Sequence, residues 1–250
     1  MASAQAFFRF YAELNDFIPS RKRNIKVHTF DFYGKNTVKD AIQSFNIPHT
    51  QVDLIIVNSK SVGFDYLLRP DDNVSVYPVF ESLDITPLNR LRAKPLREPA
   101  FILDVHLGKL ARMMRMAGFD ILYRNDLEDD EIIEISVNKH RIILTRDIGI
   151  LKHNAVTHGY WMHNTDPDKQ FTEVLRRFDL KRDIKLFSRC LKCNGTLVEV
   201  SKEEVLERLP ECVKKNFDEF WQCSSCGNVY WKGSHYDRMK EKIVELLNDI

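Results

Sequence analysis

Between Phe101 and Asp147 short, wholly apolar runs alternate with amphipathic ones, and this alternation constrains the fold more than any other stretch of the chain. Phe101-Ile102-Leu103 reads as a strand ending on Asp104. Leu107, Leu110, Ala111, Met114 and Ala117 then recur at helical spacing until Gly118 stops them. A second strand, Phe119 to Tyr123, leads into Glu128-Asp129-Asp130-Glu131. A helix through Ile132, Ile133, Ile135 and Ser136 follows, and Arg141 to Thr145 reads as a third strand ending at Arg146-Asp147. Strands that are apolar throughout are buried on both faces, so the pattern predicts an α/β fold with a parallel sheet and flanking helices. Ligands of such sheets bind outside the carboxyl ends of the strands. Asp104 and Asp147 stand at those ends, and the acidic run opens the helix after the second strand. Any one aspartate there reads as a helix cap. Three loops carrying carboxylates to one edge point instead to a bound cation.

Of five cysteines, four form two C-x-x-C pairs, Cys190 with Cys193 and Cys223 with Cys226, with 29 residues between the pairs and Gly195 and Gly227 just after them. Two such knuckles supply four thiolates for a tetrahedral structural zinc that keeps no open position. They also argue for metal binding in a reducing compartment over disulfides. Residues 201–219 read as a helical excursion between the knuckles, and Cys212 as a buried or free thiol. Met239, Ile243, Leu246 and Leu247 mark a closing helix that packs on the ribbon or the main domain.

Residues 5–80 have the content of a separate small domain. Phe7 to Tyr11 and Ile25 to Phe30 read as a hairpin, Thr37 as the cap of a helix carrying Val38, Ala41, Ile42 and Phe45, and Val52–Val57 and Val74–Val79 as further strands. The order ββαββ resembles the ubiquitin-like β-grasp domains of sulfur carriers. Those end in a free Gly-Gly, whereas here the chain runs on through Val79-Phe80-Glu81, which argues for a binding or packing module and against carrier chemistry. Pro87, Pro95 and Pro99 with Arg90, Arg92, Lys94 and Arg97 make 81–99 a linker. Farther on, Gly159 to Met162 reads as a fourth strand, and Asp166-Pro167 as cap and first residue of a helix carrying Phe171, Val174, Leu175 and Phe178. The expected domains are therefore 1–80, a linker 81–99, 100–185 and 186–250.

A formal net charge of +1 gives no global signal for nucleic acid or membrane, but it conceals a regional split. Residues 171–192 hold seven Lys/Arg against three Asp/Glu, while 100–170 and 193–250 are both net acidic. A basic segment beside an acidic pocket suits a polyanion, though on charge counting alone a solvated helix face is the better reading. With no leader-like segment and no long apolar run, a soluble cytoplasmic protein is expected.

Taken together, Phe101-Ile-Leu-Asp104, Leu107-Gly-Lys-Leu-Ala-Arg112, Met116-Ala-Gly-Phe-Asp120, Leu144-Thr-Arg-Asp147, the two cysteine pairs and Tyr230-Trp-Lys-Gly-Ser-His-Tyr236 resemble one family. It is the PIN-like RNase domain with a zinc ribbon named from the C-terminal region of the Mut-seven exonuclease. Members often carry a ubiquitin-like domain in front. The resemblance covers about 101–236 and implies a metal-dependent ribonuclease whose acidic positions fall on Asp104, Asp130 and Asp147. Asp129 adjoins Asp130, and the sequence leaves a swap of their roles open. Asp166 and Asp126 are candidates for a fourth acidic position. Such carboxylates would hold Mg²⁺ or Mn²⁺, hard cations that want oxygen ligands, beside a structural Zn on Cys190, Cys193, Cys223 and Cys226. Lys109, Arg112, Arg115 and Arg146 are candidates to bind the RNA phosphates, and Arg146 could equally orient Asp147. The implied partners are RNA and a protein reached through the ubiquitin-like domain, with no membrane. The alternative is a non-catalytic RNA-binding or adaptor protein using the ribbon and the basic helix.

Overall fold

The computed structural model describes residues 3–78, 90–91 and 99–248. Most of the expected linker 81–99, and Val79 of the expected last N-terminal strand, lie outside the described residues. The chain forms two compact units, one of Met1–Glu98 and Thr145–Trp161, the other of Pro99–Leu144 and Met162–Ile250.

In the first unit β1 (Ala4–Phe10) pairs antiparallel with β2 (His28–Phe32). The second strand starts later than its apolar content predicts. The register sets Phe8 opposite His28, so Ile25 and Val27 fall before the ladder and stay exposed. Thr37 caps α1 (Val38–Ser44) in a reciprocal box with Asp40, and the helix buries Val38, Ala41 and Ile42. Strands β3 (Val52–Val57), β4 (Lys60–Ser61) and β5 (Asn73–Pro78) complete a sheet of order β2-β1-β5-β3-β4, with β1 and β5 parallel at its centre. This is the expected β-grasp arrangement. Alternate residues of the central strands, Ala6, Phe8 and Phe10 with Val74 and Val76, form its core.

In the second unit β6 (Phe101–Leu103) is followed by a 3-10 turn and α2 (Gly108–Met116). Gly118, at φ +98, ends that run, and a Cβ there would collide with the carbonyl of Lys185. The close approach is used: the N–H groups of Lys185 and Phe187 donate to the carbonyls of Ala117 and Met116 at 2.9 and 3.1 Å. Strand β7 (Ile121–Leu122), helix α3 (Asp129–Lys139) and strand β8 (Ile142–Thr145) follow. β6 lies between β7 and β8 and is parallel to both, with Phe101 opposite Ile121 and Ile142. Every residue of β6 and β8 is buried, as their apolar composition requires.

The chain returns to the first unit for α4 (Ile148–Lys152) and β9 (Gly159–Trp161). Ile148 and Trp161 pack on the β-grasp core, and the Trp161 ring lies 5.0 Å from that of Phe17. Three polar side chains of the β-grasp domain clasp this segment by its backbone. Gln51 donates to Gly159 O at 3.0 Å, and Gln43 to Lys152 O at 3.0 Å. His49 Nε2 donates to Val156 O at 2.8 Å, while its Nδ1 accepts from Gln43 at 3.1 Å, so one tautomer satisfies both bonds. His49 and Gln51 are buried, and buried polar groups are tolerated only when paired in this way.

The remainder belongs to the second unit. Asp166 caps α5 (Pro167–Arg177) as predicted. Strands β10 (Leu197–Val200), β11 (Phe220–Cys223) and β12 (Val229–Tyr230) form an antiparallel ribbon in that order. The excursion inserted between β10 and β11 carries α6 (Lys202–Val205) and α7 (Glu211–Asn216), which bury Val205, Leu209 and Val213 against Phe220. The closing helix α8 (Ser234–Asn248) packs on α2 and α5. No helix among the described residues is long and apolar enough to cross a membrane.

Replacing Gln51 by Leu leaves the Gly159 carbonyl without its donor, at a cost of about 1–3 kcal/mol. Hydrogen exchange should therefore quicken across 148–161 while β1 and β5 keep their protection. Unchanged exchange across 148–161 would show that the clasp does not hold this segment.

Candidate functional site

Asp104 ends β6 and is 5 % exposed. Its N–H donates to Leu144 O of β8 at 3.1 Å, and its carbonyl accepts from Leu107 at 2.9 Å, closing the 3-10 turn. Its carboxylate does not cap that turn. Asp130 lies exposed in the first turn of α3, whose reciprocal capping is done by Glu128 and Glu131. Capping, the ordinary use of an aspartate at such a place, thus accounts for neither. Asp147 does cap: it accepts from Gly149 N–H at 2.5 Å at the start of α4, and its own N–H donates to Thr145 Oγ1 at 2.8 Å. Asp166 is a cap as well, and Asp126 pairs with Arg124 at 3.1 Å. Asp104 and Asp130 belong to the second unit and Asp147 to the first.

Of the candidate phosphate-binding cations, Lys109 and Arg112 are exposed and lie three apart on α2, on neighbouring positions of one face. Arg112 donates to His235 Nε2 at 2.7 Å. Arg146 is exposed, and its carbonyl accepts from Trp161 Nε1 at 3.2 Å. Arg115 departs from the expectation. It is buried, and its guanidinium donates to the carbonyls of Ile121 and Tyr123 on one side and of Leu191 and Lys192 on the other, at 3.0–3.2 Å. Burial lowers its proton affinity, with the nearby Cys190 and Cys193 opposing that shift. A side chain with this many backbone acceptors ties β7 to the first cysteine knuckle and is not available to a phosphate.

The same junction explains why β7 is shorter than predicted. As an edge strand it exposes one side of its backbone, and the outward groups of Ile121 are taken by side chains: its N–H by Asn194 Oδ1 at 2.9 Å, its carbonyl by Arg115. Asn194 also donates to Asp120, which pairs with Arg141 at 2.7 Å. Burial opposes ionisation of Asp120, but the hydrogen bonds from Arg141 and Asn194 outweigh it and hold the carboxyl below its ordinary range. Asn194 follows Cys193 in the left-handed conformation, and the Asn-Gly pair is a turn signal readable in the sequence. Its use as a clamp on β7 is not readable there.

Cys190, Cys193, Cys223 and Cys226 bring their sulfurs within 4.8 Å of one another and are, among the described residues, the one group of three or more His, Cys, Asp or Glu side chains placed to hold a metal ion. Cys193 and Cys223 are 3.4 Å apart, Cys190 and Cys226 3.7 Å. A Cβ at Gly195 would come within 2.7 Å of the Cys223 sulfur, so that glycine lets the knuckles close. Burial, with its three neighbouring thiols, pushes Cys193 up to about 12. Cys190 is brought down to about 6: burial works against its thiolate, and hydrogen bonds from Tyr230 and the Cys193 and Lys192 backbone overcome it. Metal ligands are thiolates, so a divalent ion held here would favour the ionised form of Cys193 against this shift. Cys212 is exposed and stands outside the group.

Residues 99–243 match the Mut7-C RNAse domain family, and residues 3–84 match the Mut7-C ubiquitin family. No curated protein and no solved structure gives a match. The segment 145–161 lies within the RNAse match and packs in the same unit as the ubiquitin-like sheet. A parallel strand ending on a buried Asp104, a four-cysteine knuckle pair and a β-grasp domain in front agree with the family match, and the chain belongs to the Mut7-C RNAse domain family, preceded by the Mut7-C ubiquitin-like domain.

Proposed function

We propose that the protein is a metal-dependent ribonuclease, with Asp104, Asp130 and Asp147 as its carboxylate ligands and a structural zinc on the four cysteines. The observation that carries the reading is the position of Asp104. It is a buried carboxylate at the carboxyl end of the central parallel strand, in a chain belonging to an RNAse family. Along the chain each of the three aspartates follows a different strand, β6, β7 or β8, and ligands of parallel sheets bind outside the carboxyl ends of their strands. Their oxygens suit Mg²⁺ or Mn²⁺, whereas the sulfur set suits zinc.

When bound, a divalent cation in such a site lowers the pKa of water and offsets charge on the phosphodiester. The chain's own part is to bind and orient. Lys109, Arg112 and Arg146, all exposed, supply positive charge for the phosphates. Asp147 is steadied by the Gly149 N–H, and its segment by the clasp of His49 and Gln51. The ubiquitin-like domain then acts as a scaffold for the Asp147 loop, which is consistent with its running on without a Gly-Gly end.

Elemental analysis of the folded protein should find one zinc per chain, and Cys190→Ser should lose it while residues 3–78 stay folded. Zinc-free, fully folded wild type would contradict the assignment. Asp147→Asn keeps the shape and weakens the ligand. It should lower Mn²⁺-dependent cleavage of single-stranded RNA by at least tenfold, with little change in melting temperature. Equal cleavage by both proteins from matched preparations would place the activity elsewhere. Cleavage by neither, with RNA still bound, would favour the non-catalytic RNA-binding reading.

A further inference from the structure

The second unit contains a cavity of about 530 Å³ beside α2 and the ribbon, within the size range of small-ligand sites. Tyr230, Trp231 and Tyr236 line it together with Phe187, whose ring packs edge-on against Tyr236 at 4.9 Å and Tyr230 at 6.0 Å. The Tyr230 and Tyr236 rings are therefore held in place before any ligand arrives. Arg112, Lys192 and His235 also line it, and no Asp or Glu does. Arg112 has only donors, so His235 Nε2 accepts its hydrogen bond, which positions the guanidinium at the cavity.

We propose that this cavity is a subsite for single-stranded RNA. An unpaired base would stack among the rings of Tyr230, Trp231 and Tyr236, and its phosphate would lie at Arg112 and Lys192. The choice of RNA as occupant rests on the ribonuclease reading; the chemistry of the cavity stands on its own lining. Aromatic faces accept any base, and cations nearby neutralise the backbone, the combination by which single strands are held without sequence readout. The placement favours a polymer over a free nucleotide. Helix α2 begins four residues after Asp104, carries Lys109, and reaches Arg112 about 4.5 Å farther along its axis, so positive charge continues from the proposed carboxylate to the cavity. A duplex cannot offer a splayed base and would be excluded.

The test is fluorescence anisotropy of a short labelled single-stranded RNA with the full chain, in buffer without added divalent cation so that cleavage plays no part. Arg112→Ala and Trp231→Ala should each weaken binding by about tenfold, with zinc content and far-ultraviolet circular dichroism unchanged. Trp231→Phe, which keeps a stacking face and guards against a folding defect, should stay within a few-fold of wild type. Arg112→Ala should also reduce the slope of log affinity against log salt by about 1. The proposal is overturned if both alanine variants bind RNA as wild type does, or if wild type binds none. It is also overturned if the substitutions abolish self-association of the chain and leave RNA binding intact. Failure of Mn²⁺-dependent cleavage with the binding pattern as described would remove the ribonuclease reading and leave the cavity's role standing.

Discussion

One buried guanidinium organises the second unit. Arg115 sits near the end of α2 and donates to carbonyls of β7 on one side and of the Cys190–Cys193 knuckle on the other. Hydrogen bonds from a charged donor are worth about 1.5–3 kcal/mol each, and one of the acceptors, the carbonyl of Ile121, belongs to a buried residue. The edge of the parallel sheet and the base of the ribbon are thus joined through a single side chain. The Asp120, Arg141 and Asn194 network makes a second joint alongside it. With zinc bound as proposed, four thiolates leave the centre with a charge of about −2, and Arg115 is the cation held against its loop.

The first unit solves a different problem. The loop that carries Asp147 is exposed at Arg146, Asp147 and Gly149 and gains little from burial there, so it must be held by its backbone. Here the holding groups are Gln43, His49 and Gln51, and the last two are polar side chains that a β-grasp domain standing alone would have no reason to bury. Their use on 152–159 gives the ubiquitin-like domain a physical task in the same chain. It also accounts for the buried His49 and Gln51 just before the apolar strand β3.

The repeating features were legible in the sequence, and the cross-connections were not. Apolar runs announced β6 and β8, helical spacing announced α2, and Thr37 and Asp166 announced their caps, because each depends on residues close in the chain. The paired C-x-x-C motifs announced the sulfur cluster for the same reason. Arg115 was misread as a phosphate ligand because an arginine on a helix looks the same whether it meets water or four carbonyls. Only the path of residues 185–194, brought to α2 past Gly118, decides which. The late start of β2 at His28 likewise depends on its register with β1. The places of Asp104 after β6 and of Asp147 after β8 were legible, while any joint use of them with Asp130 depends on the approach of side chains that no local pattern encodes.

Asp104, Asp130 and Asp147 are proposed to form a site for a hard divalent cation, and calorimetric titration of Mn²⁺ into the zinc-loaded chain and into Asp104→Asn prepared alongside tests it. Saturable binding to the wild type, lost in Asp104→Asn with the cysteine-bound metal unchanged in both, is the expected result. Equal Mn²⁺ binding by the two proteins, or none by either, would rule the site out.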